Sequence, residues 1–236
     1  MNEQIIIEQR FCGPPESGNG GYSCGMLANF VGDSAEVKLI SPPPLDTPLT
    51  VESREGRYTL LNGDTVVAAA EAAVVDIEVP APPTLAQARE TMAGAEIFEK
   101  HKFPTCFVCG PHRAECDGLR IFPGAVQGRN YVATEWIPDD SLTDDTGLVR
   151  NEIIWAALDC PGAWAVFAGR TRAIVLGKLA VQIMSRMKAH EPCIVLGWQI
   201  GEEGRKLMCG TALFSETGEL YARARATWIE LKKESQ

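Results

Sequence analysis

The sequence predicts an α+β fold in which one apolar helix followed by a run of antiparallel strands occurs twice. Three observations carry this expectation. Residues 151–167 are apolar nearly all round (Ile153, Ile154, Trp155, Ala156, Ala157, Leu158, Ala163, Trp164, Val166, Phe167), so a helix there demands cover on several sides. Short β-rich runs separated by glycine turns follow each helical stretch. Val79-Pro-Ala-Pro-Pro83 divides the chain, because consecutive prolines cannot donate to a strand ladder. Two curved antiparallel sheets, each wrapping a central helix, satisfy all three.

In the first block, Gly20-Gly21 opens a helix over Tyr22 to Phe30. Strands are expected at Glu36 to Ile40, Val51 to Ser53, Arg57 to Asn62 and Thr65 to Glu78, with turns at Glu55-Gly56 and Asn62-Gly63. Asn-Gly is a strong hairpin signal, since a tight turn wants positive φ at both central positions. Thr84, followed by Leu85, Ala88, Met92 and Ala95, starts an amphipathic helix that His101-Lys-Phe-Pro104 ends. The organisation is therefore a first repeat over 1–83, a helical connector over 84–102 and a second repeat over 103–236. The second repeat has expected strands at Leu119 to Phe122 and Tyr131 to Ile137 before its helix. After it come Gly177 to Met187, Cys193 to Ile200, Lys206 to Phe214 and Glu219 to Leu231.

At 236 residues the chain suits one large domain or two small ones. Its 31 carboxylates against 22 basic residues lack the basic footprint of a nucleic-acid binder. There is no run of the roughly 18–20 apolar residues a membrane helix needs. No basic flank or long apolar segment marks a secretory start, so a cytoplasmic location with reduced thiols is expected for the eight cysteines.

Several residues carry a family resemblance. Cys106-Phe-Val-Cys109-Gly110-Pro111, followed by Gly118-Leu119-Arg120, resembles the start of many small thioesterases of the phenylacetate-pathway type. Ala157-Leu158-Asp159 at the end of the central helix segment is similar to theirs. With Pro42-Pro-Pro-Leu-Asp-Thr-Pro48 in the first half, the whole chain resembles a tandem (double) hotdog protein of the thioesterase-like superfamily. That resemblance implies hydrolysis of an acyl- or aryl-CoA thioester without a cofactor, and it is compatible with a homo-oligomer.

The family's site opens a helix with His-Gly-Gly, whose backbone N–H meets the thioester carbonyl, and places an acidic side chain seven residues after the last glycine. Here Asn19-Gly20-Gly21 keeps both glycines, but Ala28 stands seven residues beyond Gly21. In the second half Asp159 keeps the acid, while Arg150, Asn151 and Glu152 occupy the positions of the histidine and glycines. Each half has lost a different component. One composite site would pair Gly20 and Gly21 with Asp159, and the other, pairing Glu152 with Ala28, would be dead. The resemblance thus makes Asp159 the base or nucleophile, Gly20 or Gly21 the oxyanion donor and Asn19 an orienting group. Tyr22, Glu152 and Trp155 are expected to contact substrate.

Such residues suit the chemistry. A backbone N–H at a helix start stabilises the tetrahedral oxyanion, typically by about 3 kcal/mol. Glycine there lets substrate approach the main chain, and a carboxylate among Trp155, Leu158 and Trp164 should have a raised pKa. Other readings of the same residues compete. Gly20-Gly21 is also an ordinary loop before a helix, and Asp159 a cap for the turn at Pro161-Gly162. Glu152 suits the helix dipole. Cys106 and Cys109 with His112 and Cys116 have zinc-ligand residue types, but the later spacing is cramped. Two small buried thiols in a turn, with no metal, is the preferred reading. Cys160 lacks a nearby acid–base partner in sequence. His101, His112 and His190 all lie away from the helix starts, which disfavours a hydratase. Arg170, Arg172, Lys178, Arg186 and Lys188 form a solvated edge or meet coenzyme A phosphates. A binding module that holds an acyl-CoA without turnover is the main alternative to the hydrolase.

Overall fold

The computed structural model describes residues 3–91, 101–167 and 173–231. The first part of the chain supplies β1 (Glu3–Ile5), α1 (Gly20–Ala28), β2 (Ser34–Leu39), β3 (Leu49–Arg54), β4 (Arg57–Asn62) and β5 (Thr65–Ala72). After α2 (Leu85–Thr91) come β6 (Gly124–Ala125), β7 (Val132–Trp136), α3 (Asn151–Ala157) and α4 (Cys160–Phe167). The last four strands are β8 (Ile174–Ile183), β9 (Cys193–Glu203), β10 (Lys206–Ser215) and β11 (Leu220–Glu230).

All eleven strands join one antiparallel sheet in the order β1-β3-β4-β5-β2-β8-β11-β10-β9-β7-β6. The expectation of two sheets is corrected here. β2 pairs with β8 in a register running from Ser34 opposite Gln182 to Lys38 opposite Lys178, and this seam makes the sheet continuous. Burying both strand edges against each other leaves no exposed ladder in the middle of the molecule.

α1 packs on α3, and it also touches β2, β5 and β8. The two helices approach closely because α1 presents Gly21 and Gly25, one turn apart, to its neighbour. A Cβ on Gly25 would lie 2.5 Å from Glu152 Cα, so only glycine fits at this separation. α4 lies on β9 and β10. The principal core runs from Ile7 and Leu27 through Phe107, Ile153 and Trp155 to Leu213, and it spans the seam between the two parts of the chain.

Among the expected elements that differ, such as the strand from Thr65, which ends at Ala72 and not Glu78, two do so for clear local reasons. The helix expected over 151–167 breaks after Leu158, which ends α3 with ψ near zero (φ −87°, ψ −1°). Pro161 has no N–H to continue the ladder, and its ring crowds the carbonyl one turn back. The Thr211 hydroxyl donates to Leu158 O at 2.7 Å and satisfies a carbonyl at the break. The expected strand Leu119 to Phe122 forms no regular ladder, because Arg120 has φ +53°. Leu119 N–H and Ile121 N–H nevertheless bond Phe107 O and Val108 O, pinning this segment to the Cys106–Cys109 turn.

The helix expected from Thr84 begins there, as α2. Gln87 N–H donates to Thr84 Oγ1 at 3.2 Å, and Thr84 N–H donates to Gln87 Oε1 at 3.0 Å, a reciprocal cap on α2. Residues 92–100 of the expected helix lie outside the described residues. Thr84→Ala removes this cap and should lower unfolding stability by about 1 kcal/mol, read as a lower urea midpoint at unchanged m-value.

Candidate functional site

The site is assembled at the amino-terminal end of α1. A helix start leaves its first N–H groups without intrahelical partners, and their fates here define the local geometry. Asn19 is the N-cap, and its Oδ1 accepts from Tyr22 N–H at 2.9 Å. Ser23 N–H closes on Asn19 O. Gly21 N–H leaves the helix altogether and donates to Asp159 Oδ2 at 2.9 Å. Gly20 N–H meets no acceptor among the described residues.

Asp159 stands at the break between α3 and α4, 1% exposed. Its Oδ2 takes a second hydrogen bond from Asn19 Nδ2, also 2.9 Å. Its Oδ1 is buried and has no hydrogen-bond partner among the described residues. One carboxylate oxygen is therefore anchored and the other free. Burial pushes the Asp159 carboxyl up to about 7, opposed by the hydrogen bonds from Gly21 and Asn19.

Asn19, Gly20 and Asp159 line a cavity of about 700 Å³, a volume typical of small-molecule sites. Its wall is mostly apolar, with Leu39, Leu176, Trp164, Phe167 and Trp228 prominent. Sulfur forms another part of the wall. Cys106, Cys109 and Cys160 all line the cavity. Their Sγ atoms lie within 4.8 Å of one another. Hydrogen bonding among the three sulfurs holds the Cys106 thiol well below its ordinary value and pushes those of Cys109 and Cys160 well above.

The structure thus brings Asn19, Gly20 and Gly21 to Asp159 across 140 residues of chain. It separates the other predicted contacts from the cavity. Tyr22 is 4% exposed and stacks on Phe11 at 3.9 Å, inside the core. Trp155 is buried in the principal core and does not line the cavity. Glu152, 8% exposed, accepts from Asn29 Nδ2 at 3.1 Å and pairs with Arg150 at 3.1 Å. It occupies the far end of α1, where Ala28 offers no acid.

The zinc grouping weighed from sequence is also rearranged. Cys116 is exposed and His112 is not part of the sulfur cluster, whereas Cys160 joins Cys106 and Cys109. His101, missed as a site residue, lines the cavity with its Nε2 3.1 Å from Cys109 Sγ. Of the basic residues, Lys178 pairs with Glu36 and Arg186 with Asp144, while Arg170 and Arg172 lie outside the described residues. No helix of the described residues is long and apolar enough to cross a membrane.

No protein-family model matches the sequence, and no curated protein matches it. Solved structures do resemble it. The tesB protein of Mycobacterium avium subsp. paratuberculosis superposes with a TM-score of 0.62 at 14% identity, over 93% of this chain and 89% of that one. Acyl-CoA thioesterase II TesB2 of Mycobacterium marinum gives 0.62 at 13% identity, over 98% and 93%. A conserved protein of unknown function with a hotdog fold from Alicyclobacillus acidocaldarius gives 0.55 at 11% identity, over 98% and 92%. Across nearly its whole length, this chain has the fold of the TesB-type and other hotdog thioesterase-superfamily proteins.

Proposed function

We propose that the chain hydrolyses an acyl- or aryl-CoA thioester at one composite site between two hotdog halves, residues 1–83 and 103–236, joined by the connector 84–102. The observation that carries this reading is the convergence of the α1 amino terminus on Asp159, with Gly21 N–H 2.9 Å from Oδ2. The two glycines then have separate tasks. Gly21 holds the acid in place, and Gly20 N–H, unclaimed and on the cavity wall, is the oxyanion donor. Asn19 orients the same carboxylate while capping the helix.

With Oδ2 anchored, Oδ1 of Asp159 is the oxygen that acts, as base toward water or as nucleophile toward the thioester carbonyl. The apolar wall takes the acyl or aryl group. Low sequence identity to the named thioesterases leaves the choice of acyl group to the shape of this wall.

The experiment is a panel of acyl- and aryl-CoAs with thiol release as readout and thermal-shift binding alongside. Turnover of at least one thioester, with free coenzyme A released in proportion to acid, is expected. One observation favours a second reading, a binding module without turnover: Gly21 N–H is already taken by Asp159 and cannot receive an oxyanion. Stabilisation by several acyl-CoAs with no thiol release from any would establish that module and remove the hydrolase.

A further inference from the structure

We propose that Cys106, Cys109 and Cys160 bind one zinc ion through three thiolates on the cavity wall, a site the hydrolytic reading does not use. The three cysteines come from two separate pieces of chain, a tight turn and the first residue of α4, yet all three are buried and face one another. The Cys106 and Cys160 Sγ atoms are 3.8 Å apart. Two thiolates each about 2.3 Å from a zinc in tetrahedral geometry are about 3.8 Å apart, so this edge already has the length a bound ion sets. A disulfide would need the same pair to close to about 2.05 Å.

A second observation is the shell of donors aimed at these sulfurs. Asn19 Nδ2 lies 3.9 Å from Cys106 Sγ. Phe103 N–H donates to His101 Nδ1 at 3.0 Å. That bond leaves the ring proton on Nε2, 3.1 Å from Cys109 Sγ, so His101 donates to the sulfur instead of ligating. Outer donors of this kind spread the negative charge of metal-bound thiolates and fix their orientation. Three soft sulfur ligands select zinc over the hard cations. They leave a fourth position for water, and binding releases to solvent whatever thiol protons the three sulfurs still carry.

The test uses the full chain, reduced and stripped of metal by chelator, then titrated with zinc against a chromogenic competitor and separately with Co²⁺. One zinc per chain and a tetrahedral cobalt–thiolate absorption spectrum are expected. His101→Ala should weaken zinc binding by about 10–100-fold, the usual size of an outer-shell loss. Cys160→Ser should weaken it further, and Cys116→Ser, at an exposed cysteine, should leave it unchanged. Should the Cys160 variant fail to fold, the cobalt spectrum of the unaltered chain decides. An octahedral spectrum, failure to hold a stoichiometric equivalent, or equal weakening by Cys116→Ser overturns the proposal. None of these readouts involves a thioester, so the outcome is independent of turnover.

Discussion

Asp159→Asn is expected to lower kcat for thioester hydrolysis by about 10²–10⁴-fold, the usual contribution of a positioned base. The substitution is close to isosteric, and an amide oxygen can still accept from Gly21 N–H and Asn19 Nδ2, the two bonds that hold the side chain. The fold should therefore survive, and an unchanged melting temperature checks this. What the variant lacks is an ionisable oxygen at the position of Oδ1, the one with no partner among the described residues.

Glu152→Gln supplies the matched comparison. Glu152 stands where the family has its last glycine and is also buried, but its carboxylate is spent on Asn29 and Arg150 at the opposite end of α1. Its loss should leave kcat within about twofold of the parent, with some stability lost from the partly buried ion pair with Arg150. Equal falls in kcat from the two variants, measured by thiol release, would mean that the acids were assigned to the wrong ends of the helix pair.

The legibility of the fold in the sequence follows the range of the physics involved. Asn62-Gly63 and Thr84 with Gln87 act over two or three residues; the cap forms where the pattern predicts, and the hairpin turn forms one residue later than expected, at Gly63 and Asp64, with positive φ at Gly63 alone. The Asn19-Gly20-Gly21 helix start is equally local. Asp159 stands out in the sequence because the family's count of seven residues, taken from the helix start in the second half, lands on an acid there and on Ala28 in the first half. The break at Leu158 was readable in Pro161 but was overridden by the apolar run on both sides of it. Cys160 looks isolated in the sequence because Cys106 lies 54 residues before it, with Cys109 in the same distant turn, and no periodicity links them. Tyr22 and Trp155 illustrate a different limit. An aromatic side chain near a site looks the same in sequence whether it faces a cavity or the core, and here the stacking on Phe11 and the close α1–α3 packing take both inward.

Gly21→Ala should damage both stability and activity, more than Gly20→Ala. A Cβ at Gly21 would lie 2.5 Å from Asp159 Cβ and 2.6 Å from Trp155 O, and the second of these is main chain on the facing helix. Neither atom is the far end of a flexible side chain, so the helices must separate. Overpacking of this kind costs about 1–3 kcal/mol, and rigid neighbours put Gly21 at the upper end. For a chain of this size about 3 kcal/mol corresponds to a fall of roughly 6–12 °C in melting temperature. Separation also draws Gly21 N–H away from Asp159, and a displacement of about 1 Å at a reacting group can cost about 10²-fold in rate. At Gly20 the nearest atoms are Leu176 Cδ2 at 2.9 Å, which can rotate into the cavity, and Leu176 Cβ at 3.0 Å, which must give by a few tenths of an ångström. Gly20→Ala should therefore keep most of the stability and act mainly on KM, by filling space that the acyl group needs. A larger melting-temperature loss from Gly20→Ala than from Gly21→Ala would show that the contact between α1 and α3 is not what positions the acid.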